Sequence, residues 1–413
     1  MEDTDLKIEK TAMAAGHPFP RCFSEELLVV EKGEGVYLED KAGKRYLDFA
    51  GGIAVNALGY DRADLAEIVA RQMKKLPHIS NLFTTEPALE LGRKMVKRNA
   101  FQAVQFLNSG SEANETALKF AQLYARRTRG KESYNLLCFH NAFHGRTLGA
   151  LSVTPTAKYQ EPFAPLIPGT KAIDFNDSRA LESTLNSSYA AVITEVVQGE
   201  GGLEAMSPDF AATLNRLCRE YDVLLIVDEV QTGLSRTGTF FAFEGVGLEP
   251  DLVTLAKPLA GGLPLSAVLI PEKINSLIHL GEHGTTFGGG PVTTAVASKI
   301  WDLLSEEDFI ASVAEKGEYF KGLLRKLSSR FAFLGEVRGR GLLLGLEVVK
   351  SSESEPDPLP GLLEELRKKG VLVLRSGKSF LRFAPPLVIS REEMARGVAI
   401  MEEVFGSMAP KGA

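Results

Sequence analysis

Cysteine is scarce in this chain and long apolar runs are missing, and each absence narrows the class. The three cysteines among 413 residues, Cys22, Cys138 and Cys218, are odd in number, widely scattered and without metal-ligand spacing. They exclude a disulfide framework and suit structural thiols in a reducing compartment. No apolar run approaches the roughly 18 residues that a membrane-spanning helix needs. The first ten residues, MEDTDLKIEK, are charged and lack the apolar centre of a secretory signal. Positive charge is not in excess either. A net charge of -6 argues against nucleic acid or an anionic membrane as partner. There is no internal repeat and no low-complexity segment. No G-x-G-x-x-G joins an early strand to a helix with an acid about 20 residues on, which disfavours a nicotinamide enzyme; Gly339-Arg340-Gly341 precedes a strand instead. His140 and His144 lack a third ligand at metal spacing and read as structural or supporting groups. What remains is the expectation of a soluble, cytoplasmic, enzyme-sized protein.

What is present begins with length and glycine. The chain is long enough for two domains, 44% of it is apolar, and 39 glycines supply tight turns or close approaches to a ligand. The organising stretch is 221–264. Its two apolar runs, 223–227 and 252–255, are too short for helices and read as buried strands of a parallel sheet. Asp228 follows the first run and Lys257 lies just past the second. Strand C-termini are where open α/β sheets build binding crevices. A lysine with an acid partner is what a Schiff-base cofactor such as pyridoxal phosphate requires. Taken alone, Asp228 reads as well as a turn cap and Lys257 as a solvated loop residue.

The rest of the chain adds weaker signals in order. Residues 1–30 read as an extended arm, 36–38 and 45–47 as a hairpin, and 61–75 as a helix. A strand at 104–107, the turn Asn108–Ser111 and a helix over 112–127 make an anion site, with Ser111, Asn114 and Glu115 as polar acceptors at the helix start. The strand 135–139 hands over to Phe143 and Arg146, a ring that could stack on a flat cofactor and a guanidinium that could hold a carboxylate. The strand 190–197 ends in a Gly-rich loop carrying Glu200, and 265–270 continues the sheet. Thr285 and Thr286, flanked by glycines, are suitable phosphate or carboxylate donors. Helices then follow at 292–305 and 307–328, a strand-like run at 335–349 and a Pro-rich loop at 355–360. A helix at 361–369, a strand pair at 371–374 and 380–383, and a last helix at 391–405 complete the chain. This segregation reads as a smaller α+β domain, completed by the N-terminal segment. Arg382 sits between Leu381 and Phe383, and an arginine leaning into a core needs an anion.

These stretches together resemble one family over nearly the whole chain. The motifs are NSGSEANE (108–115), FHGRTLGALSVT (143–154), VVQGEGG (196–202) and LIVDEVQTGLSRTG (225–238), followed by TLAKPLAGGLP (254–264), HGTTFGG (283–289) and LRFAPPL (381–387). In this order they are similar to the class III aminotransferases of the fold type I pyridoxal-phosphate superfamily, and within it to the acetylornithine branch. The resemblance implies an α/β fold with a large, mostly parallel-sheet domain over 56–291. A small α+β domain would combine 1–55, which includes the arm, with 292–413.

The same resemblance implies pyridoxal 5'-phosphate as cofactor, bound covalently by Lys257, which would also carry the proton between carbons. Asp228 would face the pyridine nitrogen, Phe143 and Val230 the two ring faces, and Gln231 the ring hydroxyl. Gly110 and Ser111, with Thr286 from the second copy of a homodimer, would hold the phosphate. Arg382 would bind the α-carboxylate of 2-oxoglutarate or glutamate, with Glu200 neutralising it when the other amine is bound. Arg146 and Thr285 would bind the distant carboxylate. An ungapped match places Ile53 where ornithine aminotransferases carry tyrosine, and His283-Gly284-Thr285-Thr286-Phe287 replaces a GGTY found in GABA aminotransferases. Both favour N-acetylornithine, with succinylornithine, a lysine derivative, ornithine or GABA as alternatives. Gly290, Pro258 and Ala260 depart from the family pattern and bear on the shape of the pocket.

Overall fold

The short apolar runs assemble into one seven-stranded sheet in the computed structural model, which describes residues 20, 22, 27–98, 101–350 and 356–408. The strand order is Ala103–Leu107, Ser266–Ile270, Leu252–Leu255, Leu224–Asp228, Tyr189–Thr194, Asn135–Phe139 and Thr170–Ile173. Ser266–Ile270 runs antiparallel to both of its neighbours, and the other strands run parallel to one another. Every residue of Leu224–Asp228 and Tyr189–Thr194 is buried. That burial explains their apolar runs, LLIV and YAAVI, since a strand covered on both faces has no polar side to present.

Two boundaries differ from expectation for identifiable reasons. The strand expected over 190–197 leaves the sheet after Thr194. Its continuation, Val197–Gln198, pairs instead with Glu204–Ala205 and folds the Gly-rich loop back on itself. The helix expected from 112 begins at Gly110 and runs to Thr128, and its cap is Ser109 rather than Ser111. Ser109 is extended, and its Oγ accepts from the Glu112 N–H at 3.3 Å while donating to Glu112 Oε2 at 3.0 Å. That Ser-x-x-Glu pairing fixes the start one residue before Gly110. Two helices, Glu86–Arg98 and Pro208–Tyr221, had no counterpart among the expected elements.

The chain ends meet in two further sheets. Val30–Glu34, Tyr37–Asp40 and Arg45–Asp48 form an antiparallel meander, and Val371–Leu372 joins it parallel to Arg45–Asp48. Leu334–Arg340, Leu343–Val348, Phe380–Phe383 and Leu374–Ser376 form the other. The expected pairing of 371–374 with 380–383 therefore splits. Val371, wholly buried, pairs with Leu47, and only Leu374–Ser376 turns at Gly377 to meet Phe380–Phe383. Most of the arm expected over 1–30, and residue 355 of the Pro-rich loop, lie outside the described residues. Among the described residues no helix is long and apolar enough to cross a membrane, and no group of His, Cys, Asp and Glu is placed to hold a metal.

Helices Glu307–Ser328 and Arg391–Met408 cover this second region through an aromatic trio. The rings of Phe49, Phe320 and Phe383 lie 5.3–5.9 Å apart between centroids. Gly397, on the last helix, sits against them: a Cβ there would stand 2.3 Å from Phe49 Cε2. The Phe49 ring has no free side to move toward. Gly397→Ala should therefore lower stability by about 1–3 kcal/mol despite the better helix propensity of alanine, read as a lower midpoint in denaturant unfolding.

Candidate active site

Because Asp228 pairs with Thr254 across two parallel strands, the ends of both strands open on the same edge of the sheet. The helix starting at Gly110 and the loop after Asn135–Phe139 rise from that edge too. Between them lies a cavity of about 310 Å3 whose lining includes Gly110, Ser111, Phe143, Asp228, Val230, Gln231 and Lys257. The fold has thus brought seven separately read residues onto one surface.

Asp228 is only 3% exposed, and a carboxylate so placed needs donors. Its Oδ2 accepts from Asn114 Nδ2 at 2.7 Å and lies 2.8 Å from His144 Nδ1. Its Oδ1 accepts the Val230 N–H at 3.0 Å. Asn114 is itself held, its Oδ1 accepting from Thr254 Oγ1 at 2.8 Å and its Nδ2 also donating to the His144 carbonyl. Lys257 opens a short turn, Lys257–Ala260, with φ at +36°, a strained conformation for a residue with a Cβ. Burial brings its amine down to about 8, against the opposing pull of Asp228 and with Arg382 adding to the fall. Roughly a tenth of it is therefore neutral and nucleophilic at pH 7, far more than of an ordinary lysine.

The first turn of the Gly110 helix leaves the N–H groups of Gly110 and Ser111 without intrahelical partners, an anion cradle at a dipole end. Gly110 packs against Val230 so closely that a Cβ would lie 2.8 Å from Val230 Cγ1. Two atoms of the lining residues are buried and unpartnered, Gln231 Oε1 and His144 Nε2. A buried anion, an unsatisfied acceptor, a reactive amine and an open helix N-terminus around a flat slot fit a phosphorylated pyridine aldehyde.

On the neighbouring sheet Arg382 pairs with Gly345 in register and is 4% exposed. Its Nη1 meets Glu200 Oε1 at 2.5 Å and the Gly199 carbonyl at 3.0 Å, and its buried Nε has no partner. Glu200 thus closes a ready-made carboxylate site. Five expected residues are not among those lining the cavity: Arg382 and Glu200, just described, and Arg146, Thr285 and Thr286. Arg146 is exposed, its Cζ 3.5 Å from the ring centroid of Tyr159 and 5.5 Å from that of Phe143. Thr285 Oγ1 accepts from Asn108 Nδ2 at 3.3 Å, and Thr286 is exposed outside the cavity. Conversely, Asn114, Thr254 and Glu195 were not read as site residues. Asn114 was legible as the residue four past Gly110, on the same helix face. Glu195 is buried on the cavity wall, where burial raises its carboxyl to about 7.

A lysine and a buried carboxylate at adjacent strand ends define an enzyme that works through a Schiff-base cofactor. Comparison with known proteins is more specific. The model of the class III aminotransferase family matches residues 21–405. The acetylornithine aminotransferase of Methanocaldococcus jannaschii is 39% identical over 92% of this chain and 93% of its own. The succinylornithine transaminase of Photorhabdus laumondii is 38% identical over 94% of this chain and 96% of its own. Among solved structures, the ornithine aminotransferase of Toxoplasma gondii superposes with a TM-score of 0.90 at 30% identity, covering 98% of this chain and 95% of its own. The chain belongs to the class III aminotransferases, a pyridoxal-phosphate-dependent family that passes an amino group from an amine donor to a keto acid.

The tight Gly110–Val230 contact gives a test of the cavity that is independent of turnover. Gly110→Ala should push Val230 into the cavity and weaken pyridoxal-phosphate binding about tenfold or more, measured by equilibrium dialysis, with the fold intact by circular dichroism.

Proposed function

We propose that this chain moves the δ-amino group of N-acetylornithine to 2-oxoglutarate, giving N-acetylglutamate 5-semialdehyde and glutamate, as a step of arginine biosynthesis. The observation that carries this reading is the Arg382–Glu200 pair beside the cavity. An enzyme that accepts both an α-amino acid and an amine without a neighbouring carboxylate needs an arginine that can be exposed for one and masked for the other. Glu200 provides the mask, being one-third exposed and tied to Arg382 by a single nitrogen.

When bound, pyridoxal phosphate supplies the electron sink that makes the C–H beside the amine acidic. The residues around it divide the remaining work. Lys257 Nζ would anchor the cofactor, and would then take the proton from that carbon and return it to the carbon on the other side of the nitrogen. Asp228, which accepts from Asn114 and the Val230 N–H and meets His144, would face the pyridine nitrogen and hold its proton. Phe143 and Val230 would cover the two ring faces, and Gln231 Oε1, buried without a partner, would accept from the ring hydroxyl. The Gly110 and Ser111 N–H groups hold the phosphate, joined by Thr286 from the second copy of a homodimer, a role consistent with its exposure away from its own cavity.

For 2-oxoglutarate, Glu200 releases Arg382 to the α-carboxylate, while Arg146 and Thr285 take the far carboxylate. For N-acetylornithine, Glu200 stays paired and the donor's own carboxylate reaches Arg146. We read 56–291 as the cofactor-binding domain, and 1–55 with 292–413 as the domain that carries Arg382. N-Succinylornithine is the second reading, favoured by the nearly equal identity to its transaminase. It too places a carboxylate far from the reacting amine.

Three outcomes test the assignment. Lys257→Ala should retain bound cofactor yet lose about 10²–10⁴-fold or more in single-turnover rate; unimpaired transamination would sink the role. Arg382→Ala should slow the keto-acid half-reaction about ten- to a hundredfold and leave the acetylornithine half largely intact. Equal losses in both halves would mean that the mask is misassigned. Since only the neutral amine attacks, cofactor-free protein should take up pyridoxal phosphate faster as pH rises, with the half-rise near 8, well below the ordinary lysine value.

A further inference from the structure

Glu195 has no part in the reading above, yet it lies where the two substrate-handling elements meet. It is 5% exposed on the cavity wall, at the point where the central strand leaves the sheet. Its two oxygens serve two different loops. Oε2 accepts the N–H of Phe143 at 3.1 Å, and Oε1 accepts the N–H of Gly199 at 3.3 Å. Only a carboxylate offers an acceptor on both arms; glutamine would present an amide nitrogen to one of the N–H groups.

The Gly199 peptide is the more telling of the two. Its N–H is held by Glu195, and its carbonyl accepts from Arg382 Nη1 at 3.0 Å and from Ser376 Oγ at 2.7 Å. Ser376 Oγ also accepts the Gly202 N–H at 2.9 Å, so the loop is pinned on both sides of Glu200. Gly199 leaves no room on its other face, where a Cβ would stand 2.5 Å from Gln231 Nε2. One residue, Gly199, thus stands between the buried carboxyl and the guanidinium, its N–H on one side of the Cα and its carbonyl on the other, and the next residue in the chain is the glutamate that masks that guanidinium. A buried carboxylate costs several kcal/mol to desolvate, a cost out of proportion to tying down a loop that hydrophobic packing could hold.

We propose that Glu195 is a positioning residue for the keto-acid half of the reaction, acting through the Gly199 peptide to hold Arg382 and Glu200 in the geometry that lets one release the other. The proposal rests on Arg382 as the carboxylate-binding group. By holding the Gly199 N–H, one Cα away from the carbonyl that Arg382 and Ser376 hold, Glu195 limits where Arg382 Nη1 rests and how far Glu200 reaches. Loss of that hold lets the loop shift, so that Arg382 meets an incoming α-carboxylate from a displaced starting point. The amine half, in which the Arg382–Glu200 pair stays closed, depends on it far less.

The test compares Glu195→Gln with the unaltered holoenzyme in the two half-reactions, run separately, alongside Arg382→Ala. Glu195→Gln should raise the apparent KM for 2-oxoglutarate about tenfold and leave its limiting rate, the acetylornithine half-reaction and the cofactor's visible spectrum within about threefold or unshifted. A purely structural role predicts losses shared equally by both halves, or a lowered melting temperature with neither half changed, and either result overturns the proposal. Ser376→Ala loosens the same peptide from its carbonyl side and should shift the same KM in the same direction. If Glu195→Gln does not fold, an unchanged KM in Ser376→Ala overturns the proposal by itself. Should Arg382→Ala harm both halves alike, the underlying reading of Arg382 fails. Should it discriminate between the halves while Glu195→Gln does not, only the role of Glu195 fails.

Discussion

A carboxylate buried at the end of a central strand is the constraint on which the rest of the site depends. Asp228 has almost no contact with solvent, and the partners its oxygens need come from Asn114, His144 and a backbone N–H that converge on it. Each of those donors comes from a different segment: the helix that follows Ala103–Leu107, the loop that follows Asn135–Phe139, and the turn after Asp228 itself. Satisfying one anion therefore sets the mutual placement of three elements around the cavity. Lys257 enters the same field from the neighbouring strand, and its lowered affinity for a proton is the balance between burial and that nearby charge.

The second part of the chemistry lies on another sheet and follows a different logic. Arg382 is nearly as buried as Asp228, but its anion is movable. Glu200 sits on a loop between strand ends and is one-third exposed, so the partner that stabilises the guanidinium at rest is one that water can replace. In the proposed reading the fixed anion serves the cofactor and the removable one the substrate, the division that a two-substrate exchange demands. The Gly199 peptide links the two halves, since Glu195 holds its N–H and Arg382 its carbonyl.

Much of this was legible in the sequence, and the exceptions have physical causes. Central strands such as 252–255 and 135–139 matched to the residue, because burial on both faces leaves a continuous apolar signature. Lys257, Asp228, Phe143 and Gln231 were found through motif order, and the fold gathers them on one cavity. Glu195 escaped notice because it sits inside an apolar run, TEVVQ, where nothing local says whether a carboxyl faces a cavity or closes a turn. The cap moved from Ser111 to Ser109 because both serines precede a glutamyl or asparaginyl side chain, and only backbone geometry chooses between them. Pro208–Tyr221 carried readable signs, with Ser207 as cap, proline in the first turn and Phe210, Leu214, Leu217 and Cys218 on one face. The exposed positions of Arg146 and Thr286 reflect a different limit, since local pattern does not say what an exposed side chain will meet.

The most direct test of the account is the cofactor's visible absorbance in purified holoenzyme as single amines are added without any keto acid. N-Acetylornithine and glutamate should each discharge the band rapidly, while ornithine and GABA act slowly, because ornithine brings a charged α-amine where the neutral amide of the acyl derivative would sit, and GABA brings its carboxylate one carbon nearer the reacting amine. A band discharged by glutamate but untouched by N-acetylornithine would contradict the proposed donor and move it to another ω-amine. Absence of any visible band in protein supplied with pyridoxal phosphate would contradict the cofactor site itself.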